Sequence, residues 1–81
     1  MPVGDSLDLH SFLPRDIPSV VSEYLDAARP LFREVRLIHG RGIGVQREVV
    51  RALLARRDDV ERFFDAPEER GGRGATVVVY R

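Results

Sequence analysis

The sequence predicts an α/β fold, a two-layer sandwich ordered β-α-β-α-β-β around a mixed four-stranded sheet. Three observations carry this. Two segments place apolar residues on one helical face, four short runs read as strands, and strand alternates with helix before the chain closes on two strands joined by glycines. A strand–helix–strand unit favours parallel pairing, whereas two strands across a tight Gly-rich connection favour an antiparallel hairpin. Two helices suffice to cover one face of such a sheet, so the other face is expected to be partly open.

Residues 1–6 read as a flexible lead-in to a single domain over residues 7–81. "LDLH", 7–10, alternates apolar and polar and forms a first strand with Leu7 and Leu9 turned inward. Pro14 interrupts the chain, and Asp16 stands where a helix N-cap belongs. Ile17, Val20, Val21, Tyr24, Leu25 and Ala28 then fall on one helical face, Pro18 is tolerated in a first turn, and Pro30 ends the helix. "EVRLIH", 34–39, is more continuously apolar and is expected to be a central strand. After the glycines at 40, 42 and 44, a second helix over 45–57 is expected to turn Val49, Val50, Leu53 and Leu54 to the core. Arg47 and Arg51 lie one turn apart on another of its faces. "VERFFDAP", 60–67, makes a third strand, "EERGGRG" a turn, and "ATVVVY", 75–80, a last strand rich in β-branched residues.

Eighty-one residues make one domain. A domain of that size buries only about 60% of the surface its unfolded chain exposes, so it needs a compact core. The chain has no cysteine, which removes disulfides and thiolate metal sites. No run approaches the roughly 18 apolar residues of a membrane span, and no basic start leads into an apolar run. A cytoplasmic protein without membrane partners is therefore expected. All 13 cations are arginine and balance 13 acids. Residues 41–57 carry Arg41, Arg47, Arg51, Arg56 and Arg57 against Glu48 alone, while 58–69 carry six acids against Arg62, so a neutral total hides a basic and an acidic segment.

The stretch "LIHGRGIG", 37–44, raises the question of function. It runs a strand into His39, then Gly40, Arg41, Gly42, Ile43 and Gly44, then a helix N-terminus. Ligands of α/β sheets gather beyond the carboxyl ends of parallel strands, and the free N–H groups of a helix start attract anions. Glycines let a phosphate reach the backbone, and Arg41 adds a forked charge. The spacing matches neither a Walker-A loop nor a dinucleotide fingerprint. A plain structural turn and an anion site both remain open on these residues alone. Asp8 and His10, two apart on the first strand, share the face opposite Leu7 and Leu9; an Asp beside a His fixes its tautomer and suits it to acid–base work on a phosphodiester. Asp8, His10 and His39 also offer metal-ligating atoms, but three ligands from two strands are a weak signal for a tight site; no resident metal is expected, and a divalent cation such as Mg²⁺ is the alternative.

"LDLH", "HGRGIG" and "GGRGATVVV", in that order and spacing, together resemble the Smr (small MutS-related) domain, over roughly Ser6 to Arg81. The chain looks like a stand-alone member. The resemblance implies a fold similar to the C-terminal domain of bacterial translation initiation factor three, and relatives that nick DNA, cut RNA or serve ribosome rescue. It places Asp8 and His10 in cleavage, and His39, Gly40, Arg41, Gly42, Ile43 and Gly44 in nucleic-acid contact. Two positions depart from the common pattern. Ser11 and Phe12 follow "LDLH" where many members have glycine, and Arg41 replaces a frequent lysine.

The expected function is thus an endonuclease acting on DNA or RNA. Asp8 and His10 would handle protons, and Arg41, Gly42 and Gly44 would hold phosphate, with Arg47 and Arg51 contributing charge. The alternative is a non-catalytic RNA- or ribosome-binding module relying on Arg41, Arg47 and Arg51. A third reading gives the acidic segment 58–69 a basic protein partner. A monomer is expected, the alternative being a homodimer in which the acidic segment covers the basic one.

Overall fold

The computed structural model describes residues 3–42 and 44–81. Its elements are strand β1 (Ser6–Asp8), helix α1 (Ile17–Ala28), strand β2 (Glu34–Ile38), helix α2 (Val45–Ala55), strand β3 (Val60–Asp65) and strand β4 (Ala75–Tyr80). Short 3₁₀ turns at Pro14–Asp16, Glu68–Arg70 and Gly72–Gly74 complete the path. The fold class is the α/β sandwich that the periodicity predicts, with a four-stranded sheet in the order β1-β2-β4-β3.

β1 and β2 pair in parallel, with Leu7 opposite Leu37. β4 is antiparallel to β2 on one side and to β3 on the other. Its interior place explains why all six of its residues are buried and why its sequence is an almost unbroken β-branched run. β2 is interior as well, as its apolar content suggests.

The core lies between the sheet and the helices. α1 contributes Ile17, Val21, Leu25 and Ala28, α2 contributes Val50 and Leu54, and the strands contribute Val35, Leu37, Val78 and Tyr80. Leu9, immediately after β1, is fully buried among them, and Leu7 packs against the cluster. Alternation along β2 and β4 turns Ile38, Ala75, Val77 and Val79 to the opposite face, where with Ala66 they form a thinner apolar layer. Arg36 lies over this second face and donates to the Arg70 carbonyl at 2.9 Å.

Several local expectations need correction. The first strand begins at Ser6 and ends at Asp8, so His10 stands beyond it. Asp16 occupies the N-cap position of α1 but has near-helical backbone angles and no capping hydrogen bond from its side chain. The 3₁₀ turn from Pro14 already winds the chain, and the Ser19 hydroxyl donates to the Asp16 carbonyl instead. α2 ends at Ala55, two residues early, and Val49 is 36% exposed rather than core. β3 stops at Asp65, before Pro67 removes a ladder donor. The basic and acidic segments are paired within the chain: Arg41 with Glu68, Arg47 and Arg51 with Asp65, and Arg57 with Asp59. No described helix is long and apolar enough to cross a membrane.

Candidate active site at the carboxyl ends of β1 and β2

Parallel pairing of β1 with β2 sets Asp8 opposite Ile38, which brings the residues after both strands to one edge. Asp8 accepts two hydrogen bonds there on one oxygen: the His10 backbone N–H at 2.9 Å and His10 Nδ1 at 2.6 Å. A carboxylate oxygen only accepts, so Nδ1 carries a proton, and in the neutral ring Nε2 keeps a free lone pair. The His10 backbone N–H, then the ring, hold the Asp8 carboxyl below its ordinary value of 3.8. Both side chains are exposed.

Nε2 of His10 faces the glycine loop. A Cβ placed on Gly40 would lie 2.8 Å from it, and Gly40 has φ +83°, so this position needs glycine on both counts. The loop is held from behind by the turn before β4: Gly74 O accepts the N–H of His39 at 3.0 Å and of Gly40 at 2.8 Å.

His39 is buried and its two ring nitrogens are both engaged. Nδ1 donates to the Gly40 carbonyl at 3.0 Å, which leaves Nε2 to accept from the Thr76 hydroxyl at 2.9 Å. Burial pushes its pKa below 6.5, so the neutral ring is favoured. His39 thus shapes the loop from beneath. With its nitrogens turned inward, it does not join Asp8 and His10 as a ligand set, and no three His, Cys, Asp or Glu side chains converge on a metal position among the described residues.

Gly44 caps α2 and, as glycine, offers no side-chain acceptor to the first N–H groups of the helix. The helix start borders a cleft of about 470 Å³ lined by His10, Pro14, His39, Gly40, Arg41, Gly42, Gly44, Val45, Gln46 and Arg47. The structure therefore gathers Asp8, His10, His39, Gly40, Arg41, Gly42, Gly44 and Arg47 at one edge. Ile43 lies outside the described residues.

The arginines are less free than their spacing suggests. Arg47 reaches Asp65 through Nε at 3.2 Å and Nη2 at 2.7 Å, holding that carboxyl below 3.8. Arg51 is stacked on Phe63, 5.0 Å from the ring centroid, with Nη1 3.5 Å from Asp65 as an ion pair without hydrogen-bond geometry. It tethers α2 to β3 rather than lining the cleft. Arg41 keeps an exposed partner, Glu68, at 2.9 Å. Sequence reading passed over Arg73, which lines the adjoining cleft with Arg41 and Arg47. Its signal is the cation inside "GGRG", a turn and part of a motif carrying the family resemblance, in which Arg73 itself is given no role.

The family model of the Smr domain matches residues 7–81. The chain belongs to the Smr domain family. Among curated relatives, Endonuclease MutS2 of Thermus thermophilus is 40% identical over 76 residues, covering 93% of this chain and 10% of that protein. Endonuclease MutS2 of Enterococcus faecalis is 34% identical over 80 residues, covering 98% and 10%. This Smr domain spans about a tenth of the length of those relatives. Among solved structures, the Smr domain of Thermus thermophilus MutS2 superposes with a TM-score of 0.89 at 38% identity, covering 96% of this chain and 99% of that one. YdaL of Escherichia coli, a stand-alone small MutS-related protein, superposes with a TM-score of 0.89 at 29% identity, covering 99% and 66%.

Proposed function

We propose that this Smr domain binds nucleic acid at the β1/β2 edge and cleaves its phosphodiester backbone, as the name Endonuclease MutS2 implies for its relatives. The observation that carries the reading is the Asp8–His10 pair, with Nδ1 tied to the carboxylate and Nε2 aimed at the Gly40 edge of the cleft. A phosphate seated against the glycine loop and the α2 N-terminus would meet the positive end of the helix dipole. His10 Nε2 takes a proton from the attacking hydroxyl as oxygen bonds to phosphorus. The bond to the leaving oxygen breaks, and the imidazolium returns the proton to it. Asp8 orients the ring and stabilises the charged intermediate form, as carboxylates do behind catalytic imidazoles. Arg41 and Arg47 supply charge, Arg47 positioned by Asp65, and Arg51 supports Asp65 in turn.

The second reading, a non-catalytic RNA- or ribosome-binding module, is favoured by one contact. Asp8 also accepts the His10 backbone N–H, which is what a purely structural strand-end carboxylate would do. Incubation of purified protein with labelled single-stranded RNA, duplex DNA and branched DNA, with Mg²⁺ and with chelator, separates the two. Losing a general acid–base group costs about 10²–10⁴-fold. Wild type should cut at least one substrate, while His10→Ala and Asp8→Ala bind it and barely cut. Binding without cutting by wild type on every substrate would assign the module instead.

A further inference from the structure

The glycine loop borders two clefts. Besides the His10 cleft, a second one of about 440 Å³ is lined by Arg41, Gly42, Gly44, Arg47, Glu48 and Arg73. The two share Arg41, Gly42, Gly44 and Arg47, so they meet across the loop. Arg41, Arg47 and Arg73 line the second cleft with Glu48, while Glu68 and Asp65 hold Arg41 and Arg47 at its margin.

The turn that carries Arg73 is built to keep it there. Gly72 and Gly74 are buried, and Gly74 O holds the His39 and Gly40 amides, which ties this turn to the glycine loop. Gly72 has φ +53°, and a Cβ on it would lie 2.6 Å from Arg41 Nη2. A Cβ on Gly74 would lie 3.3 Å from Arg41 Cγ. The glycines thus let the Arg41 side chain lie along the Arg73 turn. Arg47 is committed to Asp65 and Arg41 to the exposed Glu68, whereas Arg73 makes no ion pair with a described residue. Arg73 reaches the Asp65 carboxylate only through its field and not through a hydrogen bond, which leaves its guanidinium open to a phosphate.

We propose that Arg73 and Arg41 form a second phosphate subsite, which takes the phosphate next to the one held at the glycine loop. The inference rests on the proposed nucleic-acid reading and narrows it. The ligand is a polymer gripped at two successive phosphates, and Arg41 exchanges Glu68 for the strand on binding.

The test is fluorescence anisotropy with labelled octathymidylate and octauridylate between about 50 and 200 mM salt, using His10→Ala protein so that no strand is cut. Arg73→Ala and Arg33→Ala are added to that background; Arg33 precedes β2, at the end of that strand remote from the site. Each phosphate neutralised on a single strand contributes about −0.7 to the slope of log K against log salt. Arg73→Ala should make the slope shallower by about 0.7 and weaken binding several-fold at low salt, with Arg33→Ala unchanged. A dinucleotide carrying one phosphate should not distinguish Arg73→Ala from its parent. Salt-dependent octamer binding that Arg73→Ala leaves at the parent slope overturns the subsite and spares the nucleic-acid reading. If neither octamer binds even wild type, the single-strand subsite falls, and the nucleic-acid reading is judged on the duplex and branched substrates.

Discussion

At the scale of single residues, the site turns on which nitrogen of His10 is free. The Asp8 carboxylate fixes the answer, because it can only accept and so draws the proton to Nδ1. What remains is the space in front of Nε2, and Gly40 controls it. Gly40→Ala would place a methyl 2.8 Å from Nε2 at a φ of +83°. The left-handed backbone alone costs a non-glycine residue about 1–2 kcal/mol. We predict a loss of unfolding free energy of that order in urea and loss of cleavage beyond what the lost stability explains, checked by denaturation and by cleavage at a temperature where the variant is fully folded. Unchanged cleavage would mean that the substrate does not use the lone pair facing Gly40. His10→Ala, in contrast, should lower the rate by about 10²–10⁴-fold with little effect on folding, since the side chain is exposed.

At the scale of elements, the loop is a joint between β2 and β4. His39 reaches across to Thr76, its neighbour's carbonyl takes Nδ1–H, and Gly74 O collects two amides. Thr76→Val keeps the shape of a fully buried β-branched side chain but removes the hydroxyl. It leaves His39 Nε2 buried without a donor, at a cost of about 1–3 kcal/mol. The variant should show that loss in denaturation, together with faster hydrogen exchange at the His39 and Gly40 amides than in wild type. Equal exchange in both proteins would separate the loop from this contact. The elements themselves were legible in the sequence wherever a periodic pattern was long: α1 starts and β4 spans as read. Asp8 and His10 were legible as a pair from their spacing of two, but the contact is made by a turn past the end of β1, where Asp8 Oδ1 takes both the His10 amide and its ring. The function of His39 was not, because nothing in "LIHG" says that its ring turns inward to a threonine 37 residues later. The partner of Arg47 and Arg51 was hidden for the same reason. Their spacing on α2 is visible in the chain, but their partner Asp65 arrives only through the packing of α2 on β3.

At the scale of the whole molecule, the neutral total acquires a physical meaning: the acidic segment folds back on the basic one. Arg57 joins Asp59 and Asp26, Arg47 joins Asp65, and the Arg57 and Arg47 hydrogen bonds hold the Asp59 and Asp65 carboxyls below 3.8, as the His10 amide holds Asp8. For each, the unfolded chain binds more protons between the folded pKa and 3.8, so the stabilisation is present above 3.8 and is lost as pH falls through the folded value. His39 acts in a separate window with the same sign. Burial lowers its folded pKa below 6.5, so the unfolded chain takes up a proton first and stability declines as pH falls from about 6.5 towards the folded value. Acid should therefore weaken this Smr domain in two steps, a first one below about 6.5 and a second below about 3.8. Urea midpoints between pH 8 and pH 3 would show both in wild type, and His39→Gln should remove or flatten the first while leaving the second in place. A first step of equal size in His39→Gln would locate its cause outside the β2–β4 joint, and the neutral buried imidazole would lose its claim on the pH response.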